Sequence, residues 1–285
     1  MGSIVRSGRP QIAALAACLA DAGPRSIFEG ATCSFDPGKF PDDPYRLLDL
    51  CGFEDKRAFI LGGVHTSDYP AVGLLLLDGQ PHCTATLISP TALLTAAHCL
   101  AGDDAQSVID SSRITWSADQ ENAPLPMTQA GVIPAPNYVL VHSADGDLPQ
   151  HDYGIVFLAT AANESPIAIP PSPEPRLLGD VATFVGYGVT ASGGAFQPPG
   201  DKQEISLRID NVSDDQTTFG YGTFGQSTCD GDSGGPALLT VNRQPVVVGV
   251  TSFVRTLCAG GTDERVDLDA PRSFILAALD GGYSQ

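Results

Sequence analysis

Three residues of the types used in nucleophilic catalysis stand far apart along the chain. Ser233 lies within Asp230–Gly235, where glycines on either side of Asp232 and Ser233 favour a tight, exposed turn. His98 follows one apolar run and Asp152 precedes another. A serine hydroxyl is a weak nucleophile that needs a base, and the base needs a group to orient it. The three residues are therefore a candidate triad for acyl transfer.

Each of these residues also has an ordinary structural interpretation when it is taken alone. The serine could belong to a plain glycine-rich turn, the histidine could be a buried, hydrogen-bonded side chain, and the aspartate could cap a strand. The pairs His82-Cys83 and His98-Cys99 permit a zinc interpretation, although their spacing is not that of a common zinc finger. We therefore expect neither a metal nor another cofactor.

The elements that must position these residues are short β-strands. From Ile60 onwards, β-branched and apolar runs are broken by Gly, Pro, Asn and Asp, with no internal repeat and no βαβ alternation. This pattern predicts an antiparallel all-β architecture. Helical spacing recurs only over 274–279, and Gly281-Gly282 ends that predicted helix. The predicted strands are Val72–Leu77, Thr84–Ile88, Ala92–Ala96, Ile155–Ala159, Val181–Val185, Ile205–Ile209, Ala237–Val241 and Val246–Thr251.

The order His98, Asp152, Ser233 resembles that of the chymotrypsin-like (trypsin) serine peptidases. The resemblance covers residues 60–280 and implies two antiparallel six-stranded β-barrels with a C-terminal helix. It implies that the serine attacks the carbonyl carbon, that the histidine transfers the proton and that the aspartate orients the imidazole. Further segments carry the likeness: Ile60–Gly63 resembles the family's mature N-terminus, Gly186–Gly188 its mid-chain turn, and Gly249–Val254 the strand along its substrate cleft.

The resemblance also implies how a substrate would be held. The backbone N–H groups of Gly231 and Ser233 would form the oxyanion hole, in which each donor stabilises the developing negative charge. Ser252, Phe253 and Val254 would pair with the substrate backbone as an additional antiparallel strand.

Two positions bear on the preferred substrate residue. Ser227 stands where trypsin has the aspartate that binds Lys or Arg, and Val254 stands where elastase-like members carry valine. An uncharged pocket cannot offset the desolvation of a buried cation. We therefore expect cleavage after small or medium neutral residues. Loop lengths after Cys258 depart from the family, and a shifted register that brought Asp263 into the pocket would instead favour basic residues.

The start of the chain has the features of an export signal. Arg6 and Arg9 precede the apolar stretch Ile12–Ala20, and Ala20–Ala22 forms a small-residue cleavage site. Residues 1–22 are therefore a candidate signal peptide, and we expect a secreted protein, extracellular or periplasmic. The segment Leu15–Cys18 alternatively resembles a bacterial lipoprotein cleavage box.

The cysteines favour an exported, disulfide-bonded protein. The chain has 7, an odd number, but cleavage of residues 1–22 would remove Cys18 and leave an even set. Sequence alone leaves the connectivity open. The resemblance implies Cys83–Cys99 and Cys229–Cys258, and a Cys33–Cys51 bond would close a small leader.

Residues 23–59 are interpreted as a pro-segment and residues 60–285 as the peptidase domain. In the resembling family, cleavage before the first isoleucine frees an α-ammonium group that pairs with the aspartate before the nucleophile. Here these residues are Ile60 and Asp232. A tryptic cut after Arg57 would leave two surplus residues, so cleavage after Phe59, later trimming or another route stays open. An activating protease is an expected partner.

The net charge of −18 disfavours two classes of binding partner, nucleic acids and anionic membranes. Neutralisation of nucleic-acid phosphates needs Lys and Arg, and anionic membrane surfaces repel an acidic protein. Peptides or proteins are therefore the expected substrates, with no nucleic acid and no membrane. The alternative is a catalytically silent serine-peptidase homologue that acts as a binding module.

Overall fold

Antiparallel β-strands make up most of the described chain. The computed structural model describes residues 60, 62–102, 107–118, 124–143, 146–188, 202–223, 225–255 and 258–281. These belong to one unit, residues 58–190 and 196–285. The candidate signal peptide at 1–22, the whole candidate pro-segment at 23–59 and its Cys33–Cys51 pair lie outside the described residues.

The strands are β1 (Val64–His65), β2 (Val72–Leu77), β3 (Gln80–Ser89), β4 (Ala92–Thr95), β5 (Ile114–Ser117), β6 (Leu125–Pro134), β7 (Val139–Ser143), β8 (Gly146–Gln150), β9 (Gly154–Leu158), β10 (Val181–Gly186), β11 (Gln203–Val212), β12 (Thr218–Tyr221), β13 (Pro236–Val241), β14 (Gln244–Val254) and β15 (Gly261–Arg265). A 3₁₀ helix spans Ser111–Arg113, and the α-helix α1 spans Asp269–Leu279.

Six strands close the first barrel in the order β2-β3-β4-β9-β6-β5. Strand β2 carries an almost continuous apolar run, and its residues are nearly all buried. Leu75, Leu87, Leu93 and Ile155 are fully buried in the core of this barrel. Large apolar side chains from the closed strands therefore fill the interior of this barrel rather than leaving a channel.

The second barrel follows the order β11-β10-β13-β14-β15-β12 and closes through the pairing of β11 with β12. Strand β1 adds to the outer edge of β11. Alternate residues of β11 are buried and exposed, as expected of a strand with one face on the core. Phe184, Phe219 and Tyr221 contribute aromatic rings to that core, with centroids 3.8 Å and 6.2 Å from Tyr221.

Helix α1 packs its apolar face against the first barrel. Phe274, Ile275 and Ala278 are buried there, and the ring of Phe274 meets Tyr153 edge-on at 5.5 Å. Gly281 adopts φ +74°, a left-handed conformation that ends a helix readily without a Cβ. The expected two six-stranded barrels with a C-terminal helix are thus confirmed. Within the described ranges, no helix is both long and apolar enough to cross a membrane.

The sequence analysis did not predict the hairpin of β7 and β8. Its register places Leu140 opposite Pro149 and Val141 opposite Leu148. The hairpin ends just before Asp152, so it lies beside the residues that could do chemistry.

Candidate active site

Direct pairing of two first-barrel strands brings His98 and Asp152 together. His98 follows β4 and Asp152 precedes β9, and these strands pair antiparallel with Thr95 opposite Gly154. The end of β4 therefore meets the start of β9. Gly154 is required in this register, because a Cβ there would contact the backbone of Pro134 and the side chain of Leu100.

The Asp152 carboxylate holds His98 at two points, one on the backbone and one on the imidazole. The backbone N–H of His98 donates to Oδ1 at 2.8 Å, and Nδ1 lies 2.7 Å from Oδ2. Asp152 is fully buried, while the His98 side chain is 30% exposed. Burial opposes protonation of His98, but the charge of Asp152 and its hydrogen bond outweigh this and raise the pKa of His98. The arrangement suits a base that leaves Nε2 free for a reacting group.

Ser252 has a contact that the sequence analysis missed. Its hydroxyl donates to Asp152 Oδ2 at 2.6 Å, and the side chain is buried. The sequence placed Ser252 only along the substrate cleft, since nothing in a linear pattern relates it to Asp152. A carboxylate with three hydrogen bonds keeps a fixed orientation beneath the histidine.

The Ser233 turn is attached to both barrels. Its carbonyl oxygen accepts the backbone N–H of Thr84 at 2.8 Å, and the N–H of Gly234 donates to the carbonyl oxygen of Thr251 at 2.8 Å. Thr84 Oγ1 also donates to the carbonyl oxygen of Gly231 at 3.0 Å. Thr84 is fully buried, and this linking role was not predicted. These hydrogen bonds therefore fix the Ser233 turn to strands of both barrels.

Ser233 and His98 both lie next to the same sulfur atom, Cys99 Sγ. Cys99 Sγ lies 3.7 Å from His98 Nε2 and 3.8 Å from the Ser233 carbonyl oxygen, so the imidazole and the Ser233 backbone are near each other. Among the described residues no hydrogen bond joins the Ser233 hydroxyl to His98. Such catalytic bonds are often long without substrate and tighten when it binds. The structure thus forms the His98–Asp152 half of the constellation and brings the Ser233 backbone beside it.

Gly231 adopts φ +94° in the turn before Ser233. A residue with a side chain rarely takes this conformation, whereas glycine does so without strain. Gly234 has φ +82°, and a Cβ there would collide with Thr95 Oγ1 and the carbonyl oxygen of Thr84. The glycines that suggested a turn in the sequence are thus required by its conformation.

Asp232 is a buried acid directly before the nucleophile. Its Oδ1 accepts the backbone N–H of Gly188 at 2.7 Å, and its Oδ2 accepts that of Cys229 at 2.8 Å. Burial raises its pKa to about 7, although these two N–H groups oppose the shift. Ile60 is also fully buried, in the core of the second barrel.

Of the residues expected to form the specificity pocket, Ser227 is buried before the Ser233 turn and Val254 is half-buried at the end of β14. Val254 pairs with Gly261, and the ring of Tyr221 packs against Gly261 where a Cβ would otherwise stand. Ser227 is fully buried, and its hydroxyl has no hydrogen-bond partner within the described chain. Tyr221 was not singled out in the sequence, because only the strand register brings it here.

Asp263 lies further along β15, opposite Thr251. Its Oδ1 accepts the Tyr221 hydroxyl at 2.6 Å, and Tyr221 also contacts Thr228 Oγ1 at 2.9 Å. Burial raises the pKa of Asp263 to about 8, so that the carboxyl group is mostly protonated at pH 7.

A cavity of about 310 Å³ opens beside His98. Ser252 and Phe253 line one side, and Leu140 and Pro149 of the β7–β8 hairpin line another. Tyr138, Ala101 and Gly102 complete the wall. The cavity is thus mainly apolar and directly adjoins the histidine.

The two disulfides implied by the resemblance, Cys83–Cys99 and Cys229–Cys258, are present. Cys83, His98 and Cys99 lie close enough to hold a metal ion, but both cysteine sulfurs are bonded to each other. That bond removes the thiolates that a zinc site would need.

Comparison with known proteins agrees with this arrangement. The trypsin family model matches residues 60–268. The trypsin of Saccharopolyspora erythraea is 30% identical, over 68% of this chain and 86% of that protein. Glucanase inhibitor protein 3 of Phytophthora infestans is 27% identical, over 69% and 79% respectively, and brachyurin of Leptuca pugilator is 24% identical, over 68% and 86%. This chain belongs to the trypsin family of serine peptidases.

Proposed function

We propose that this protein is a secreted serine endopeptidase that cleaves peptide bonds through an acyl-enzyme. Ser233 Oγ attacks the carbonyl carbon while His98 takes the hydroxyl proton, and the N–H groups of Gly231 and Ser233 stabilise the oxyanion. His98 then gives that proton to the leaving amine. Water, activated by the same imidazole, hydrolyses the ester and restores the serine.

The observation that carries the proposal is the buried hydrogen-bond chain from Ser252 through Asp152 to His98. A fully buried carboxylate is costly unless it is hydrogen-bonded. Here its partners include the imidazole of His98, whose Nε2 lies 3.7 Å from Cys99 Sγ, an atom that is itself 3.8 Å from the Ser233 carbonyl oxygen. A binding module would have no evident use for this arrangement.

We propose cleavage after small or medium neutral residues. The uncharged Ser227 and the branched Val254 disfavour a buried Lys or Arg, and the Asp263 carboxyl group is already hydrogen-bonded to Tyr221. In an extended substrate, side chains alternate in direction. The residue preceding the cleaved one would therefore face His98 and the apolar cavity, and we expect an apolar side chain there.

Activation is proposed to follow cleavage before Ile60 by another protease. The burial of Ile60 and of the Asp232 carboxylate supports this step, because an α-ammonium group would stabilise the charged form of that acid. A signal peptide at 1–22 and a pro-segment at 23–59 belong to the same proposal. Activity with the leader still intact would contradict it, and N-terminal sequencing of active protein tests it.

A second candidate is a catalytically silent binding module. It is favoured by the similarity to proteins named glucanase inhibitors. These names describe inhibition rather than peptide cleavage. The presence of His98, Asp152, Ser233 and Gly231 argues against this candidate, since a silent homologue need not retain all four.

Hydrolysis of a synthetic peptide library separates the two candidates. We expect the exported, processed protein to cleave after small neutral residues, and Ser233→Ala to lose roughly 10⁶-fold in kcat. Ser165→Ala, at an exposed loop serine, is the matched control and should retain full activity. Processed protein that begins at Ile60 and cleaves no peptide would support the binding module, and a preference for Arg would contradict the proposed specificity.

A further inference from the structure

Beneath the triad lies a second buried acid, Glu264, that the reaction as described does not use. It sits on β15 between Asp263 and Arg265, and it is only 2% exposed. Because successive side chains of a strand point to opposite faces, Glu264 faces away from the Tyr221–Asp263 contact. Glutamate is almost never fully buried without partners. We therefore expect this carboxyl group to have specific polar partners.

The partners of Glu264 are the two residues at the catalytic aspartate. Its Oε1 lies 3.8 Å from His151 Nδ1, and the backbone N–H groups of Asp152 and His151 stabilise its charged form. His151 has φ +54°, which is uncommon for a residue with a side chain. Its carbonyl oxygen accepts the N–H of Tyr153 at 3.0 Å, which closes a tight turn around Asp152. The carboxyl group thus lies against an unusual turn that sets the position of Asp152.

The charges around Glu264 decide its protonation. Burial and then the charge of Asp152 raise its pKa to about 8, with a smaller contribution from Asp215, while the two backbone N–H groups oppose the shift. The titratable groups that face it are His151 and Asp152 before β9, and Asp215 after β11. Near pH 7 the group is therefore mostly neutral, and it adds little negative charge next to Asp152.

We propose that Glu264 is a positioning residue for the triad, holding the His151–Asp152 turn so that the Asp152 carboxylate meets His98 in the reactive orientation. This inference rests on the proposed peptidase function. When Glu264 ionises, the added negative charge favours the protonated imidazole of His98. A protonated His98 cannot accept the Ser233 proton, so the ionisation of Glu264 opposes catalysis.

Kinetics of two substitutions in the processed protein test this role. Glu264→Gln keeps the shape and the neutral state, so we expect kcat at pH 7 within about twofold of wild type and no inflection near pH 8 in the pH profile. Glu264→Ala removes the support, and misplacement of catalytic groups by about 1 Å can lower rates by up to about 10²-fold. We expect kcat to fall about 10- to 100-fold, with KM within about twofold. Active-site titration corrects both variants for inactive protein.

Asp267→Asn is the control for a merely structural role. Asp267 accepts from Arg265 Nε at 2.9 Å and Nη2 at 2.7 Å, in a buried pair close to Glu264 along the chain. Loss of the charged Asp267–Arg265 pair should lower the midpoint of thermal unfolding without changing kcat per active site or the pH profile of kcat. Wild-type kcat in Glu264→Ala would overturn the inference. So would equal effects of Glu264→Ala and Asp267→Asn on kcat and pH profile.

A proton NMR measurement separates this inference from the proposed function. The proton between His98 Nδ1 and Asp152 should resonate at low field, whether or not the protein hydrolyses peptides. We expect Glu264→Ala to shift or broaden that resonance and Glu264→Gln and Asp267→Asn to preserve it. If wild type is inactive but the resonance responds in this way, the peptidase proposal fails and the positioning role stands. If the resonance is identical in all variants, the positioning role fails.

Discussion

The turn that we propose forms the oxyanion hole depends on the conformation of one residue, Gly231. Its positive φ of +94° presents the turn to the cleft, while Thr84 Oγ1 holds its carbonyl oxygen at 3.0 Å. An L-residue in this conformation is strained by about 1–3 kcal/mol. A side chain at position 231 would therefore favour a rotated peptide and a lost N–H donor.

We predict that Gly231→Ala lowers kcat by about 10²–10³-fold, as loss of one oxyanion donor does. KM should change little, because the substrate strand pairs elsewhere. Gly79→Ala is the matched control: Gly79 also has positive φ, +76°, and a Cβ there would meet nothing within 4 Å. Steady-state kinetics of both variants test the prediction. An equal loss in kcat for both would show that general strain, rather than the oxyanion turn, is responsible.

Residue types and their order were sufficient to propose His98, Asp152 and Ser233 as a candidate triad, and the structure forms the hydrogen bond between the first two. The glycines that flank Ser233 and the cysteine that follows His98 made the resemblance to the family more specific. The Ser252–Asp152 bond and the Glu264 contact were missed, because they arise from strand register and leave no local pattern. Thr84 was missed for the same reason, since a threonine within an apolar strand looks like an ordinary core residue.

At the scale of elements, the pairing of β4 with β9 brings His98 and Asp152 together at one end of the first barrel, and the β7–β8 hairpin lines one side of the cavity beside His98. The sequence predicted the apolar strands well, since β2 has the predicted bounds and β9 differs by one residue at each end. The hairpin was missed because two aspartates, Asp145 and Asp147, and one proline, Pro149, interrupt its apolar alternation. Its two faces differ: Leu140 lines the cavity, whereas Val141 is 39% exposed.

We predict that Leu140→Ser raises KM about tenfold for peptides with an apolar residue before the cleaved one. Burial of a leucine-sized contact stabilises by about 1.5–3 kcal/mol, and a polar side chain forfeits part of it. Val141→Ser, on the opposite face of the same strand, should leave KM unchanged. Peptide pairs that differ only at that position measure the effect. Equal KM values in both variants would contradict the assignment of the cavity to the substrate.

The Cys229–Cys258 disulfide connects the segment before the nucleophile with the loop after β14, across 29 residues of chain. We predict that replacing both cysteines by serine lowers the free energy of unfolding by about 2–4 kcal/mol. The physical reason is the greater conformational freedom of the unfolded chain without the cross-link. Urea unfolding, carried out with Ser233→Ala to prevent self-digestion, measures it. An unchanged unfolding midpoint would contradict the prediction.

At the scale of the whole molecule, burial of acids shapes the response to pH. Burial raises the pKa of Asp232 to about 7, and that of Asp263 and of Glu264 to about 8. Unfolded, the same groups would titrate near 3.8 to 4.5. Between these limits the folded chain binds protons that the unfolded chain has lost, so stability falls as pH rises through this window.

We predict that the thermal midpoint of Ser233→Ala protein falls between pH 5 and pH 8.5, and that adding Asp263→Asn reduces this fall. Asp210→Asn removes a negative charge from an exposed position of β11, and it should leave the pH dependence unchanged. Calorimetry at several pH values provides the test. An equal fall with and without Asp263→Asn would show that general charge repulsion, rather than the buried acid, causes it.

The central claim is that His98 activates Ser233 as a nucleophile, and covalent labelling tests it most directly. An organophosphonate should react with processed protein to give one adduct per chain, which peptide mapping locates at Ser233. Ser233→Ala should give no adduct, His98→Ala should react far more slowly, and Ser165→Ala should react like wild type. Absence of an adduct on protein that begins at Ile60, or an adduct that persists in Ser233→Ala, would contradict the claim.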